Sequence, residues 1–234
     1  MKILKNKLET IMELPSGTRV SVLNPEFLDV NNFDWDKAIF HSNNDLPAIE
    51  HSGGEKRWYK ENKLHRENDL PAVEWRNGTK EWYKNGKRHR DNDKHAIRYL
   101  DGTKSWWKEG KKHRDNDKPA VEDINGSKYW CKDNKLHREN DKPAIEYSNG
   151  TKKWYKEDKL HRENDKPAIE YSNGTKYWYK NGKIHRENDL PAIESLSGTK
   201  KWYKEGLLHR DNGKPAIICY DGSKEYWING KRIK

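Results

Sequence analysis

Apolar residues are sparse along this chain and recur at fixed places. From residue 41 onward they follow a 24-residue period, marked by His41, His65, His89, His113, His137, His161, His185 and His209 without one insertion. Counting each His as position 0, the unit His161–Ile184 reads His-Arg-Glu-Asn-Asp-Lys-Pro-Ala-Ile-Glu-Tyr-Ser-Asn-Gly-Thr-Lys-Tyr-Trp-Tyr-Lys-Asn-Gly-Lys-Ile. Asn occupies +3 in every unit, and +17 is Trp in seven units (Trp58, Trp82, Trp106, Trp130, Trp154, Trp178, Trp202) and Tyr226 in the eighth. Position +16 instead runs through Arg57, Glu81, Ser105, Tyr129, Lys153, Tyr177, Lys201 and Glu225, the behaviour expected of a solvated site.

Asn-Gly or a relative recurs at +12/+13 (Asn77-Gly78, Asn173-Gly174) and again at +20/+21 (Asn85-Gly86, Asn181-Gly182). That dipeptide supplies the two left-handed residues of a type I′ hairpin. Each unit is therefore expected to form three short antiparallel strands, with a longer third connection through Arg-Glu-Asn-Asp-x-Pro. Two-residue turns would set +8 opposite +17, +7 opposite +18 and +18 opposite +23. One face then carries Ile145, Trp154 and His161, and the other Ala144, Tyr155 and Leu160 beside a charge row of Glu146, Lys153 and Arg162. One apolar row per face suffices only if units stack, so the expected fold is all-β, an elongated array of eight antiparallel hairpin units over 41–234.

Residues 1–40 fit a capping segment. Leu4, Leu8, Ile11 and Met12 suggest a short amphipathic helix, Pro15-Ser16-Gly17 a breaker, and Thr18 to Leu23 a strand; Phe33-Asp34-Trp35-Asp36 leads into His41 like a degraded half-unit. No apolar run near the start is long enough for a signal peptide or a membrane span, which points to an intracellular address.

Composition changes the picture less than the period does. Apolar residues make up 31% and charged residues 37% of the 234, a balance that leans towards disorder, yet 11 Trp, 12 Tyr and 3 Phe give the units something to bury. The net charge is +10; residues 1–40 hold five basic and six acidic side chains, so the repeats carry +11. Such a charge permits an anionic partner. Cys131 at +18 and Cys219 at +10 are expected on opposite faces and as reduced fillers.

Eight copies of one histidine offer no unique constellation, so a structural place beside Trp is expected rather than catalysis or metal binding. His89-Arg-Asp, His113-Arg-Asp and His209-Arg-Asp imitate a kinase catalytic loop without a glycine-rich loop, strand lysine or Asp-Phe-Gly. Asn77-Gly-Thr, Asn125-Gly-Ser, Asn149-Gly-Thr and Asn173-Gly-Thr are formal glycosylation sequons that turns explain. The stronger signal is the Trp face. By strand alternation it also carries Lys at +15, +19 and +22: Lys80, Trp82, Lys84, Lys87; Lys104, Trp106, Lys108; Lys152, Trp154, Lys156; and Lys176, Trp178, Lys180, Lys183. Interleaved lysines and aromatic rings suit phosphate contacts with stacking, while lysine stems draped over half-buried indoles would give the same pattern. The few breaks in the repeat are His95 for Pro, a candidate specialised position, and Gly213 for Asp.

At Trp178-Tyr-Lys-Asn-Gly-Lys-Ile-His185 and its equivalents from Trp58 to His209, the chain resembles MORN repeats, and within them tandem repeats of bacteriophage and large DNA virus proteins. MORN units usually follow the His with Gly-x-Gly, where this chain has Arg-Glu-Asn-Asp-x-Pro. The resemblance implies a MORN-like β-hairpin solenoid without enzymatic activity or cofactor, acting in scaffolding, protein binding or lipid association. The expectation is a binding protein for another protein, such as a host defence or regulatory factor, with nucleic acid or anionic lipid as the alternative partner; a homodimer covering one face is compatible with the pattern.

Overall fold

The structure, a computed structural model, describes residues 4–6, 9–25 and 28–233. Every named element among them is a short β-strand, in agreement with the expected all-β repeat class. The chain divides into two compact units, Met1–His113 and Arg114–Lys234.

Within each repeat the backbone makes four two-residue strands instead of three longer ones. In the His161 repeat these are Ile169–Glu170, Lys176–Tyr177, Tyr179–Lys180 and Lys183–Ile184. The first two pair with each other, and Lys176–Tyr177 also pairs with Ile193–Glu194 of the next repeat. Repetition of this step adds two strands per repeat to one antiparallel meander in each unit. The last two strands close a separate hairpin, Tyr179 opposite Ile184 and Lys180 opposite Lys183.

The register at the first turn differs from expectation by one residue, because that turn is not a two-residue loop. Tyr171 N–H donates to the Thr175 carbonyl at 2.9 Å and Gly174 N–H to the Tyr171 carbonyl at 2.9 Å, which leaves a three-residue loop, Ser172-Asn173-Gly174. Gly174 has φ +87°, the glycine bulge of such loops, while Asn173 stays outside the left-handed region. Its Oδ1 accepts the Thr175 N–H at 2.9 Å instead. Ile169 therefore faces Tyr177, not Trp178. The second turn is the expected type I′, with Asn181 at φ +51° and Gly182 at +85°.

The middle strand breaks at Trp. Trp178 N–H donates to the Ala192 carbonyl of the next repeat at 2.9 Å, whereas its own carbonyl accepts the His185 N–H at 3.1 Å. The chain thus leaves the sheet for the hairpin at +17, and alternation cannot be carried across it. The expected charge row dissolves: Glu146 lies opposite Lys152 and accepts from Arg138, Lys153 sits over the Tyr147 ring, and Arg162 bonds Asp141 and Glu170. Position +16 is not solvated. Ser105 and Glu81 are buried and the other six are half-buried.

The third connection hides another type I′ turn. Asn164 and Asp165 have φ +58° and +52°, and Lys166 N–H reaches the Glu163 carbonyl at 3.3 Å. Asn and Asp tolerate this region better than other side-chain-bearing residues, which accounts for Asn at +3 throughout. Ala at +7 is fully buried in all eight repeats, so no larger side chain fits there.

The cap is a repeat in disguise. Residues Leu4–Asn6 and Glu9–Glu13 form a hairpin, not a helix, and Glu9–Glu13 pairs in turn with Arg19–Val22, inside the expected Thr18–Leu23 strand. Thr10 and Met12 face Val22 and Val20 and are buried, so the period-two pattern prevails once strands flank both sides; Leu8 lies outside the described residues. Pro15-Ser16-Gly17 makes the same three-residue turn as +11 to +13, with Gly17 at φ +75°. Ser21 takes the place of Trp, donating to Ala48 at 2.7 Å and accepting from His41 at 3.3 Å. Val22 then bridges Phe40, and Leu23 N–H meets the Ile39 carbonyl, so residues 24–38 replace an Asn-Gly turn. Leu28, Val30 and Phe33 of this segment pack on a core of Met12, Leu14, Val20, Val22, Phe40 and Ile49.

Candidate functional site

Residues shared by seven of the eight repeats, Arg at +1, Asp at +4 and Trp at +17, form a clamp between successive repeats. Trp178 Nε1 donates to the Asp165 carbonyl at 2.9 Å, and its ring is covered by the guanidinium of Arg186, 3.8 Å from the ring centroid. Arg186 also grips both carboxylate oxygens of Asp165 at 2.8 and 2.9 Å, the Pro191 carbonyl at 3.2 Å and Glu194 at 2.9 Å. A planar fork with delocalised charge can stack and make bidentate bonds at once; a lysine cannot. The clamp recurs for Arg66, Arg90, Arg138, Arg162 and Arg210 over Trp58, Trp82, Trp130, Trp154 and Trp202, at 3.7–4.0 Å. Where +5 is Lys it joins in: Lys166 Nζ lies 2.7 Å from Asp141, and with Arg162 as the main cause it holds that carboxyl down at about 2. In the His209 repeat Gly213 has no carboxylate and Tyr226 no indole N–H, so two members of the clamp change together.

The repeated histidines tie neighbouring hairpins together. His161 Nδ1 accepts the Asn181 N–H at 3.1 Å, which places the ring proton on Nε2, 2.8 Å from Glu163 Oε1. The same backbone contact is made to His65, His89, His137, His185 and His209.

Seven tryptophans expected on a Lys/Trp surface are 4–8% exposed. Arginine covers the rings of Trp82, Trp154 and Trp178, and Trp106 is buried as well, so these four do not share an open face with the lysines around them. Lys80, Lys84, Lys87, Lys104, Lys108, Lys152, Lys156, Lys176, Lys180 and Lys183 are exposed, and several have partners: Lys84 with Asp91 at 2.9 Å, Lys180 with Glu187 at 2.8 Å, Lys183 with Glu205 at 3.2 Å and Lys156 with Glu163 at 3.5 Å. Shallow grooves between repeats are lined by this mixture; one, of about 280 Å³, includes His65, Glu67, Trp82, Lys84, His89 and Asp91.

The face that sequence reasoning missed collects +10, +16, +18 and +23. Trp75 Nε1 and Tyr83 Oη donate to Glu81 at 3.0 and 2.8 Å, and Arg88 reaches the same carboxylate at 2.8 Å. Tyr171 meets Tyr177 edge-on at 5.3 Å. These positions vary from repeat to repeat, and so does +11 at the turn beside them, where Leu100, Ile124, Leu196 and Tyr220 are 70%, 68%, 70% and 76% exposed. The signal was present in the sequence as variation against an otherwise fixed unit. Cys131 and Cys219 belong to +18 and +10 of this one face, not to opposite faces, and both are free thiols.

His95 lies where the other repeats have Pro, its ring edge-on to Trp82 at 5.6 Å and to Trp106 at 5.9 Å. Burial, reinforced by Arg90, Lys104 and Arg98, pushes its imidazole down to about 4. Among the described residues, no helix is long and apolar enough to cross a membrane. No protein-family model matches the chain, and no curated protein is similar enough to it to be a relative.

Proposed function

We propose that this is a non-enzymatic repeat protein of MORN-like design that binds another protein through its variable face, inside the cell. The observation that carries it is the row of large apolar side chains at +11, Leu196 and Tyr220 above all, standing exposed beside half-buried aromatic residues on an otherwise charged molecule. The shared residues are consumed by the clamp and the turns, which leaves differences between repeats as the means of choosing a partner. Aromatic and aliphatic anchors with little rotamer entropy are what interface centres use. The resemblance to phage and large-DNA-virus repeats directs the search for that partner to host defence and regulatory proteins. Leu196→Ser with Tyr220→Ser should abolish stoichiometric co-purification while changing folding stability by less than about 1 kcal/mol, since neither side chain is buried. Undiminished capture by the double variant would sink the reading.

Charge favours one competitor. Lys at +15 in all eight repeats, exposed in seven of them, suits nucleic acid or anionic lipid, though the buried indoles contribute no stacking. Its mark is affinity that falls steeply with salt. A partner still held at about 0.5 M salt, where the Debye length is only a few ångströms, argues for the apolar face instead.

A further inference from the structure

One repeat departs from the rest at two neighbouring positions. His95 stands at +6, where seven repeats have Pro, and Arg98 at +9, where six have Glu. Elsewhere +9 glutamates alternate with +15 lysines across the sheet, as in Glu146, Lys152, Glu170 and Lys176. Arg98 breaks that alternation: its cross-strand partners are Lys80 on one side and Lys104 on the other. Facing Cα atoms in an antiparallel pair are about 5 Å apart, so three cations stand side by side on one surface. All three are exposed; among the described residues Lys80 has Glu74 at 3.8 Å, and Arg98 and Lys104 have no carboxylate within ion-pair distance.

The exchange has a cost that the other repeats avoid. Arg138, Arg162 and Arg186 each bond the +9 glutamate of their own repeat at 2.9–3.0 Å, whereas the Nη1 of Arg90 bonds the His95 carbonyl at 3.3 Å and finds Arg98 in the glutamate's place. Like charges directly opposite across strands destabilise a sheet. The +18/+23 hairpins also set Lys opposite Lys, as Lys84 opposite Lys87. In the meander, however, Arg98 is the +9 residue that sets a cation against the +15 lysines on both sides, where six other repeats keep Glu. An exception of that kind marks a place where function outweighs stability.

We propose that Lys80, Arg98 and Lys104 form a binding site for a phosphate monoester dianion carried on a side chain of the protein partner. The source of the phosphate rests on the binding function proposed above, while the anion site stands on the sheet register alone. A compact dianion fits better than a polyanionic strand, because Glu74 closes the patch one strand beyond Lys80. The guanidinium of Arg98 offers a fork for two oxygens, and an ammonium on either side supplies point charges.

The test is a titration of isotope-labelled full-length protein with inorganic phosphate, O-phosphoserine and a phosphoserine peptide, against sodium chloride at equal ionic strength. Saturable shifts at the Lys80, Arg98 and Lys104 amides and the Trp82 and Trp106 indole N–H groups are expected, weakened at least about tenfold in Arg98→Glu. That variant restores the residue six other repeats use, so it should fold and melt higher than the parent. Equal shifts in parent and variant, or the same shifts with chloride, overturn the site. Vesicles of phosphatidylcholine with phosphatidic acid, or single-stranded RNA, binding in an Arg98-dependent way while the phosphoserine peptide does not, overturn the protein source. Leu196→Ser with Tyr220→Ser should leave the phosphate shifts intact, so failure of the partner-binding face and failure of the anion site give different results.

Discussion

At the scale of single residues, one imidazole and four carboxylates set the acid behaviour. His95 is held neutral between two indoles, with its proton affinity lowered from 6.5 to about 4. Between those values the unfolded chain binds a proton that the folded one does not, so the folded state loses stability as pH falls from 6.5 towards 4 and keeps it above. His95→Pro supplies the residue the other repeats use and does not titrate. The difference in melting temperature between H95P and the parent should therefore widen in favour of H95P from about pH 7 to pH 5; a difference that ignores pH would refute this account of His95. Asp69, Asp117, Asp141 and Asp189, each held at about 2 chiefly by an arginine of the next repeat, act lower. Their contribution is complete above the ordinary carboxylate value near 4 and disappears as pH drops through 2, so both proteins should share that second acid limb.

At the scale of elements, the two hairpins of a repeat look alike in sequence and differ in structure. Both contain Asn-Gly, and the sequence legibly predicts a hairpin at each. What separates them is whether Asn enters the left-handed region: Asn181 does, Asn173 does not. The available clue was Thr or Ser after the first Asn-Gly, because that hydroxyl also accepts from the next repeat, as Thr175 does from Leu196 N–H at 3.2 Å. One residue of register then moved +16 from a solvated site to the half-buried variable face. Glu81 and Arg88 show the consequence. Glu occurs at +16 only where +23 is Arg, in this pair and in Glu225 with Arg232, and both pairs meet in space. Arg88→Leu alone leaves a buried carboxylate short of its charged donor and should cost about 2 kcal/mol. Adding Glu81→Tyr, the combination found at Tyr129 and Leu136, should recover most of it in denaturant unfolding. Additive losses would mean that the two positions are not coupled.

At the scale of the molecule, a repeat inside either unit lends an Asp and a Trp and receives an Arg from the repeat after it, as Asp165 and Trp178 do from Arg186, so stability is passed from neighbour to neighbour. The period, the strand class and the hairpin at +20/+21 were legible without coordinates. The cap was not, because its identity as a repeat lies in backbone bonds of Ser21 and Val22 that no shared side chain announces. Excision of His161–Ile184 leaves Leu160 followed by His185, a junction that preserves every turn and clamp. The shortened protein should fold cooperatively with a denaturant slope lower by about a tenth, in proportion to the surface removed. Removal of only twelve residues from the same place should unfold the repeats around it. Similar behaviour of the two deletions, judged by circular dichroism and unfolding curves, would contradict neighbour-to-neighbour stabilisation.

The first repeat already carries a natural experiment in grafting. Where the others turn in two residues, it runs from Asn24 to Ala38 and still delivers Phe40 and His41 to the places their counterparts occupy. The +20/+21 turn is therefore a port: foreign loops spliced into it at successive repeats of one unit would be displayed side by side, and their number and spacing within that unit would be set by counting repeats.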